Sequence, residues 1–438
     1  MANCKFGKFQ SPNKGNGLRA TVHLLAGDLL YRATPYVYTV CKSGGRQACD
    51  FCLELPERLL RCSGCKFVKY CGLRCQREAW PDHRRECKCL KSIQPERPLE
   101  TVRLVARAIF KLLKKSHCPS EELYSISELQ ANITELNDEM REGFSQLVVM
   151  LQLYLKAEIP SPLHLSADVN FFELFAKVAC NTFSICNAEM QDLGAGLYPS
   201  MSLLNHDCDP NCVIVFEGKH LLLRAAREIQ AGEELTTSYT NGMMPSTERQ
   251  SQLKRQYSFE CKCYRCETHD KDHLMESGDK RALAETKKAQ SKALELQLKG
   301  EWEQSLAVCR AILNYNVDRL PDLNVYQVAI LDCAMDACIY CGLFEEATLY
   351  GSRTLEAYRL YKPRRCPVKA IQMMKVGKLQ YLHDKLPEAL QTMKEAYDIL
   401  VVTHGKDHRL TLELIEMLEN CEVSNIAELL DLNIHHAS

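Results

Sequence analysis

Asn205-His206-Asp207-Cys208-Asp209-Pro210-Asn211 carries a candidate metal ligand in a turn-rich setting, and its meaning depends on the motifs downstream of it. Next come Gly232-Glu233-Glu234-Leu235, then Tyr239, then Cys261-x-Cys263-x2-Cys266. The cysteine triplet offers three thiolates, and a closed tetrahedral site needs a fourth ligand. Cys208 is the natural candidate. A metal held this way staples the chain around Asn205 to the chain around Phe259 and closes a pocket between remote segments. Upstream, Asn13-Lys14-Gly15-Asn16-Gly17-Leu18-Arg19-Ala20 places a two-glycine turn ahead of a β-like stretch containing Gly27-Asp28-Leu29-Leu30. Such a turn lets backbone approach a ligand closely, although alone it reads as an ordinary hairpin.

The wider composition narrows the setting. A chain of 438 residues predicts two to four domains. With 46% hydrophobic and 25% charged residues it is globular, which excludes wholesale disorder, and a net charge of −1 excludes a nucleic-acid binder that works by bulk charge. No apolar run reaches membrane-spanning length and no apolar signal core follows Met1-Ala2-Asn3-Cys4-Lys5, so an intracellular protein without a membrane contact is expected. In that compartment the 24 cysteines favour metal binding wherever they cluster. Cys4, Cys41, Cys118, Cys309, Cys333, Cys366 and Cys421 lack metal-like company, and the Cys338/Cys341 pair lies in a helical pattern. Most of these read as small buried hydrophobes.

The densest cluster runs Cys49-x2-Cys52-x9-Cys62-x2-Cys65-x5-Cys71-x3-Cys75-x7-His83-x3-Cys87. Eight ligands make two tetrahedral zinc sites, with the CxxC pairs on tight knuckles and the i, i+4 pairs on helical turns. The segment has few large apolar residues, so metal must supply much of its folding energy. Adding Cys208, Cys261, Cys263 and Cys266 gives three closed zinc sites, and four protein ligands each make them structural. Between Arg58 and Lys91 ten basic residues face three acids. That face reads either as solvated or as a contact for DNA or a partner peptide.

The order of seven cysteines and one histidine resembles the MYND zinc finger. The resemblance implies interleaved ligands: Cys49, Cys52, Cys71 and Cys75 on one zinc, and Cys62, Cys65, His83 and Cys87 on the other. NHxCxPN, GEEL followed by a tyrosine, and CxCxxC resemble the SET and post-SET segments of protein lysine methyltransferases. A finger inserted in a SET sequence makes the chain similar to the SET-and-MYND (SMYD) family over essentially its whole length, and Gly196-Leu197-Tyr198-Pro199-Ser200 narrows the likeness to one member.

The family resemblance implies S-adenosylmethionine as methyl donor. Carried over residue by residue, it puts Lys14, Gly15 and Asn16 on the donor through the glycine turn, and adds Tyr124 and Asn132 from a helical insert. Asn181, Asn205 and His206 would hold its amino-acid and adenosine portions by side-chain and backbone hydrogen bonds, and Phe259 would stack on adenine. Tyr239 is placed at the reaction centre, in reach of the donor, with Tyr257 and Phe183 as channel walls. The chemistry is displacement of a sulfonium methyl by a neutral lysine amine, which needs desolvation and alignment rather than a protein nucleophile. Two positions depart from the pattern: Asp207 replaces the usual serine, and Thr237 stands where relatives often carry an aliphatic residue.

After Cys266, Glu267 to Lys280 reads as a polar linker into helical pattern. There Trp302, Phe344 and Leu386 recur at intervals of 42, as do Ser305, Ala347 and Ala389, which predicts three TPR-like helical pairs. The expected architecture is an α+β multidomain chain. Residues 1–48 begin a β-rich SET domain, 49–87 form the inserted finger, 88–179 a helical SET insert, 180–245 the SET core, 246–270 the post-SET zinc segment, and 271–438 a TPR-like all-α domain. The expected function is a protein lysine methyltransferase acting on histones or other proteins in cytoplasm and nucleus, as a monomer, with a chaperone tail as a further ligand of the helical domain by family resemblance. The rival is a zinc-finger and TPR adaptor with an inactive SET core.

Overall fold

The computed structural model describes residues 5–43, 46–114, 118–160 and 169–436. Its strands form three small sheets that share one apolar core. The first has the order Phe6–Ser11, Gly15–Ala20, Glu234–Thr237, Asn205–His206, the second Val37–Val40, Asp192–Leu197, Thr182–Cys186, and the third Cys212–Glu217, His220–Ala225, Leu29–Ala33. Two further two-stranded pairs and an isolated bridge between Leu24 and Ile229 are present among the described residues. The opening hairpin pairs Phe6 with Ala20 and Ser11 with Gly15. It turns through Asn13 and Gly15 at φ of 60° and 78°, the left-handed region that glycine and asparagine tolerate.

The finger is docked rather than free-standing. Helix Leu73–Ser92 carries Cys75, His83 and Cys87, and helix Glu100–Lys114 packs beside it, with the Arg85 guanidinium of the first helix 4.7 Å over the Phe110 ring of the second. The same second helix turns Arg103 and Arg107 toward two finger acids. Arg103 Nε donates to Glu86 at 2.8 Å, Arg107 donates to Glu86 at 2.7 Å, and Asp50 receives both arginines. Removing one partner of such a buried network typically costs about 3–5 kcal/mol. The finger therefore leans on its neighbours as well as on metal. Tyr38 OH donates to Phe51 O at 2.9 Å, and the Lys219 ammonium sits 3.8 Å over the Phe51 ring.

The 42-residue interval corresponds to helices. Trp302–Tyr315, Phe344–Tyr361 and Leu386–Thr403 each begin on the repeating residue, and each comes after a helix: Lys280–Leu298, Val325–Tyr340 and Pro367–Leu382. Gly300, Gly342 and Asp384 hold the equivalent turn position at φ of 78°, 74° and 54°. Ser305, Ala347 and Ala389 are fully buried, small enough for the paired helices to approach. A last helix, Arg409–His436, succeeds the third pair. No helix among the described residues is long and apolar enough to cross a membrane.

The stretch expected as a linker is instead packed. The Asp272 carboxylate accepts from Ser246 N and Oγ, Lys271 donates to Leu360 O, and Met275 is fully buried. The cysteines without metal company are buried at 118, 309, 333, 338 and 421 and half-buried at 41, 341 and 366, while Cys4 lies outside the described residues.

The helical domain also meets the SET sheets where helix Leu386–Thr403 ends. Arg224 of strand His220–Ala225 donates to Gly27 O at 2.9 Å, and an added Cβ on Gly405 would come within 3.0 Å of Arg224. His404 is buried there, and burial, with His408 and Arg224 alongside, pushes its pKa down to about 3. Unfolding frees an imidazole that takes a proton near about 6.5. The folded chain thus binds fewer protons than the unfolded one, and this contribution to stability is complete above about pH 6.5 and is lost as pH falls toward the folded value. Thermal unfolding followed from pH 7 to pH 4 should show a steeper fall for the wild type than for His404→Gln; parallel curves would remove His404 from the acid response.

Candidate active site and metal centres

The sheet brings three remote motifs side by side. Asn205–His206 pairs in parallel with Thr236–Thr237, and Glu234–Leu235 pairs antiparallel with Arg19–Leu18. Asn205 Nδ2 donates to Glu234 Oε1 at 2.8 Å and to Asn16 O at 3.3 Å, while Lys14 Nζ lies 3.4 Å from Glu234 Oε2. Glu234 is the acid that ties the glycine turn to Asn205. Gly17 is the tight position: a Cβ there would lie 2.9 Å from Asn205 Nδ2 and from the Phe9 ring. At Gly15 an added Cβ would meet nothing within 4 Å, so the turn leaves open space on that side.

Tyr239 comes after the Glu234–Thr237 strand and sits in a ring cluster with Tyr257 at 4.7 Å, His206 at 5.2 Å and Phe259 at 6.3 Å. Its hydroxyl donates to Leu204 O. Burial, then Tyr257 and Glu234, push its pKa up, and burial raises Tyr257 as well. Both phenols are therefore neutral donors or acceptors at ordinary pH, not bases. Phe183, expected as a channel wall, is half-buried and meets the Tyr198 ring edge-on at 5.7 Å. The strand Thr182–Cys186 that carries Phe183 pairs it with Gly196 in the neighbouring sheet.

The His206 imidazole is occupied by the protein on both nitrogens. Nδ1 accepts from Tyr239 N–H at 2.9 Å, and Nε2 lies 3.3 Å from Cys208 Sγ. Burial pushes its pKa down to about 4, so the ring is neutral. This ring orients Tyr239, which leaves the His206 backbone rather than its side chain to meet a ligand.

The helical insert closes over the hairpin. Tyr124 is buried, its hydroxyl donates to Glu128 O, and the Lys8 ammonium lies 4.7 Å over its ring. Asn132 Nδ2 donates to Tyr257 O at 3.0 Å, and Asn181 Nδ2 donates to Gln130 O at 2.9 Å and Lys177 O at 2.8 Å. Asn132, Asn181 and Asn205 all spend their N–H groups within the protein, and their side-chain carbonyls take no hydrogen bond from the described residues. That set of acceptors suits a ligand bearing an ammonium and hydroxyls, with the exposed Lys14 beside Glu234 as the cation for a carboxylate and the ring cluster for a flat base.

Three groups fit metals. Cys49, Cys52, Cys71 and Cys75 converge, as do Cys62, Cys65, His83 and Cys87, and Cys208, Cys261, Cys263 and Cys266, with the ligand atoms of each group within 4.8 Å of one another. Tetrahedral Zn–S bonds of about 2.3 Å place sulfurs roughly 3.8 Å apart. The Sγ pairs Cys62/Cys87 at 3.8 Å, Cys52/Cys75 at 3.9 Å and Cys208/Cys266 at 3.5 Å match that spacing. Gly64 is required at its knuckle, since a Cβ would stand 2.8 Å from Cys87 Sγ. His83 Nδ1 lies 3.1 Å from Glu86 Oε2, which leaves Nε2 facing Cys65 for a metal.

Sequence reasoning missed the cations around the third group, because they have no motif spacing. Arg249 is fully buried and donates to Ser246 Oγ, Met244 O and Cys266 Sγ, a counter-charge for four thiolates. Arg265 donates to Gly242 O at 3.1 Å and Tyr361 O at 3.2 Å, joining the chain after Tyr239 to the helical domain. Asp207 proves to be half-buried and used: it accepts from Asp209 N at 2.8 Å and so shapes the turn around Cys208. Thr237 is buried at the strand end and its carbonyl accepts from Asp207 N at 3.0 Å.

Comparison with known proteins adds a family. The model of the SET domain matches residues 15–240. Histone-lysine N-methyltransferase SMYD3 of Mus musculus and of Homo sapiens are each 51% identical to this chain over 424 residues, covering 97% of it and 99% of the relative. N-lysine methyltransferase SMYD2 of Bos taurus is 31% identical over 428 residues, covering 94% of this chain and 98% of the relative.

Elemental analysis should return three zincs per chain; one or none would contradict the ligand sets. Glu86→Gln, which weakens the hold on His83, should speed loss of a single zinc to a chelator, in line with roughly 10–100-fold weaker binding at that site. Unchanged release kinetics would take Glu86 out of the metal centre.

Proposed function

We infer the reaction from family and site together: this chain belongs to the SMYD group of the SET-domain family and is an S-adenosylmethionine-dependent protein lysine methyltransferase. The observation that carries the reading is the convergence of the glycine hairpin, Asn205–His206 and Tyr239 on one sheet edge beside a ring cluster. When bound, the donor supplies a methyl group on a sulfonium. Lys14, Asn16, Asn132, Asn181 and Asn205 would hold it by the lysine charge and the free amide carbonyls, with Tyr124 walling the hairpin side and Phe259 at the base.

The chain's own part is positioning. His206 fixes the Tyr239 backbone, and Leu204 O fixes the Tyr239 hydroxyl. With both phenols neutral, no protein base stands at the centre. The target amine must therefore arrive deprotonated, and buried aromatic walls favour that form by penalising the ammonium. Alignment of an amine with a methyl is worth orders of magnitude in rate, so a small displacement of Tyr239 is costly.

The substrates we propose are lysines of histones and of other proteins, in cytoplasm and nucleus, with the enzyme acting as a monomer. A hollow of about 940 Å³ in the finger, lined by Arg61, Lys66, Lys69 and Arg97 against the single acid Glu57, supports an anionic partner there, DNA or a peptide. The stacked helical pairs support a peptide ligand such as a chaperone tail.

Incubation with radiolabelled S-adenosylmethionine, histones and cell-extract proteins should label lysine. Tyr239→Phe should lower transfer by roughly 100-fold while donor binding by calorimetry changes little. Unchanged turnover would remove Tyr239 from the centre, and absence of both label and donor binding would favour the adaptor.

A further inference from the structure

A cavity of about 760 Å³ separates the SET core from the helical domain. One wall is the chain on either side of Tyr239, through Thr237, Ser238, Thr240 and Asn241; the opposite wall is the turn that begins at Lys362. Lys362 is 9% exposed. Its ammonium has three N–H groups to satisfy, and the acceptor it finds is Asn241 Oδ1 at 2.6 Å. Among the described residues no carboxylate forms an ion pair with it. Burial lowers its pKa, and Cys366 and Asp332 offset this only in part.

A buried cation that faces a cavity and touches no carboxylate is costly unless something entering the cavity supplies one. Arg364 on the same wall is exposed and makes no ion pair among the described residues, whereas Arg365 is turned to Asp398 O. Asp209 and Glu228 also line the cavity, so the cleft is bipolar, with its deepest unpaired charge positive.

We propose that Lys362 is a specificity-determining subsite of the substrate cleft, pairing with a carboxylate side chain that lies close in sequence to the target lysine. This rests on the methyltransferase reading of the site. An extended peptide advances about 3.3 Å per residue. Asn241, two residues after Tyr239, lines the cavity and touches the Lys362 ammonium, so a peptide whose lysine reaches Tyr239 along this wall would bring neighbouring side chains toward Lys362. A desolvated carboxylate–ammonium pair is strong and poorly screened, so the preference should persist in high salt, unlike steering by surface charge.

The test uses the full chain with S-adenosylhomocysteine and fluorescein-labelled peptides. Each peptide holds one central lysine and a single Glu or Gln at each of the four positions on either side. Anisotropy should show Glu tightening binding about tenfold over Gln at one or two positions, in about 0.5 M salt as well as in dilute buffer. Lys362→Met should erase the difference between Glu and Gln peptides. Lys362→Glu should favour lysine at the same positions, and Arg364→Gln should leave the preference in place. Equal binding of all peptides by wild type, or the same preference in Lys362→Met, overturns the subsite. Failure of the methyltransferase reading shows separately, as no transfer to any peptide whatever the binding pattern.

Discussion

Everything at the site depends on Cys208 reaching Cys261, Cys263 and Cys266. These residues are more than fifty positions apart, and the four ligand atoms converge within metal-binding distance. Cys208 lies just past the paired strand Asn205–His206, and Cys261 directly succeeds the segment bearing Tyr257 and Phe259. A metal there holds the cofactor-side strand against the aromatic wall. His206 relays that constraint, with one ring nitrogen toward Cys208 and the other holding the Tyr239 backbone. A four-thiolate site carries net negative charge, and the buried Arg249 is the cation that makes it tolerable in the interior.

Buried charge recurs as the means of joining parts. Asp50 and Glu86 of the finger meet Arg103 and Arg107 of the insert, Arg265 spans Gly242 and Tyr361, and Lys362 reaches Asn241. Where acids and bases balance, as in the first set, the contact is structural. Where a buried cation touches no carboxylate, as at Lys362, the cleft has a preference to express. The helical domain is thus one wall of the cleft and also a support for the chain leaving Tyr239.

Much of this is legible in the sequence. Metal groups announce themselves by spacing because the ligands sit on knuckles and helical turns a few residues apart, and the 42-residue repeat announces itself because Trp302, Phe344 and Leu386 each open a helix and the small buried Ser305, Ala347 and Ala389 let it pair. Contacts between remote segments have no such local sign. Phe183 meets the Tyr198 ring, a contact that no motif spacing marks. The partners of the His206 ring come from the strand exit and the metal site, and no local spacing marks them. Residues 267 to 280 read as a linker because they are polar, and their polar groups in fact cap and bind neighbouring backbone.

The most direct test of the account is donor affinity in Cys208→Ala, measured by calorimetry beside its zinc content. The account predicts loss of one zinc, with the finger's two retained, and donor binding weakened by roughly 100-fold or abolished as the Asn205 strand and the aromatic wall come apart. Full donor affinity in a variant that has lost that zinc would contradict the claim that this metal staple builds the site.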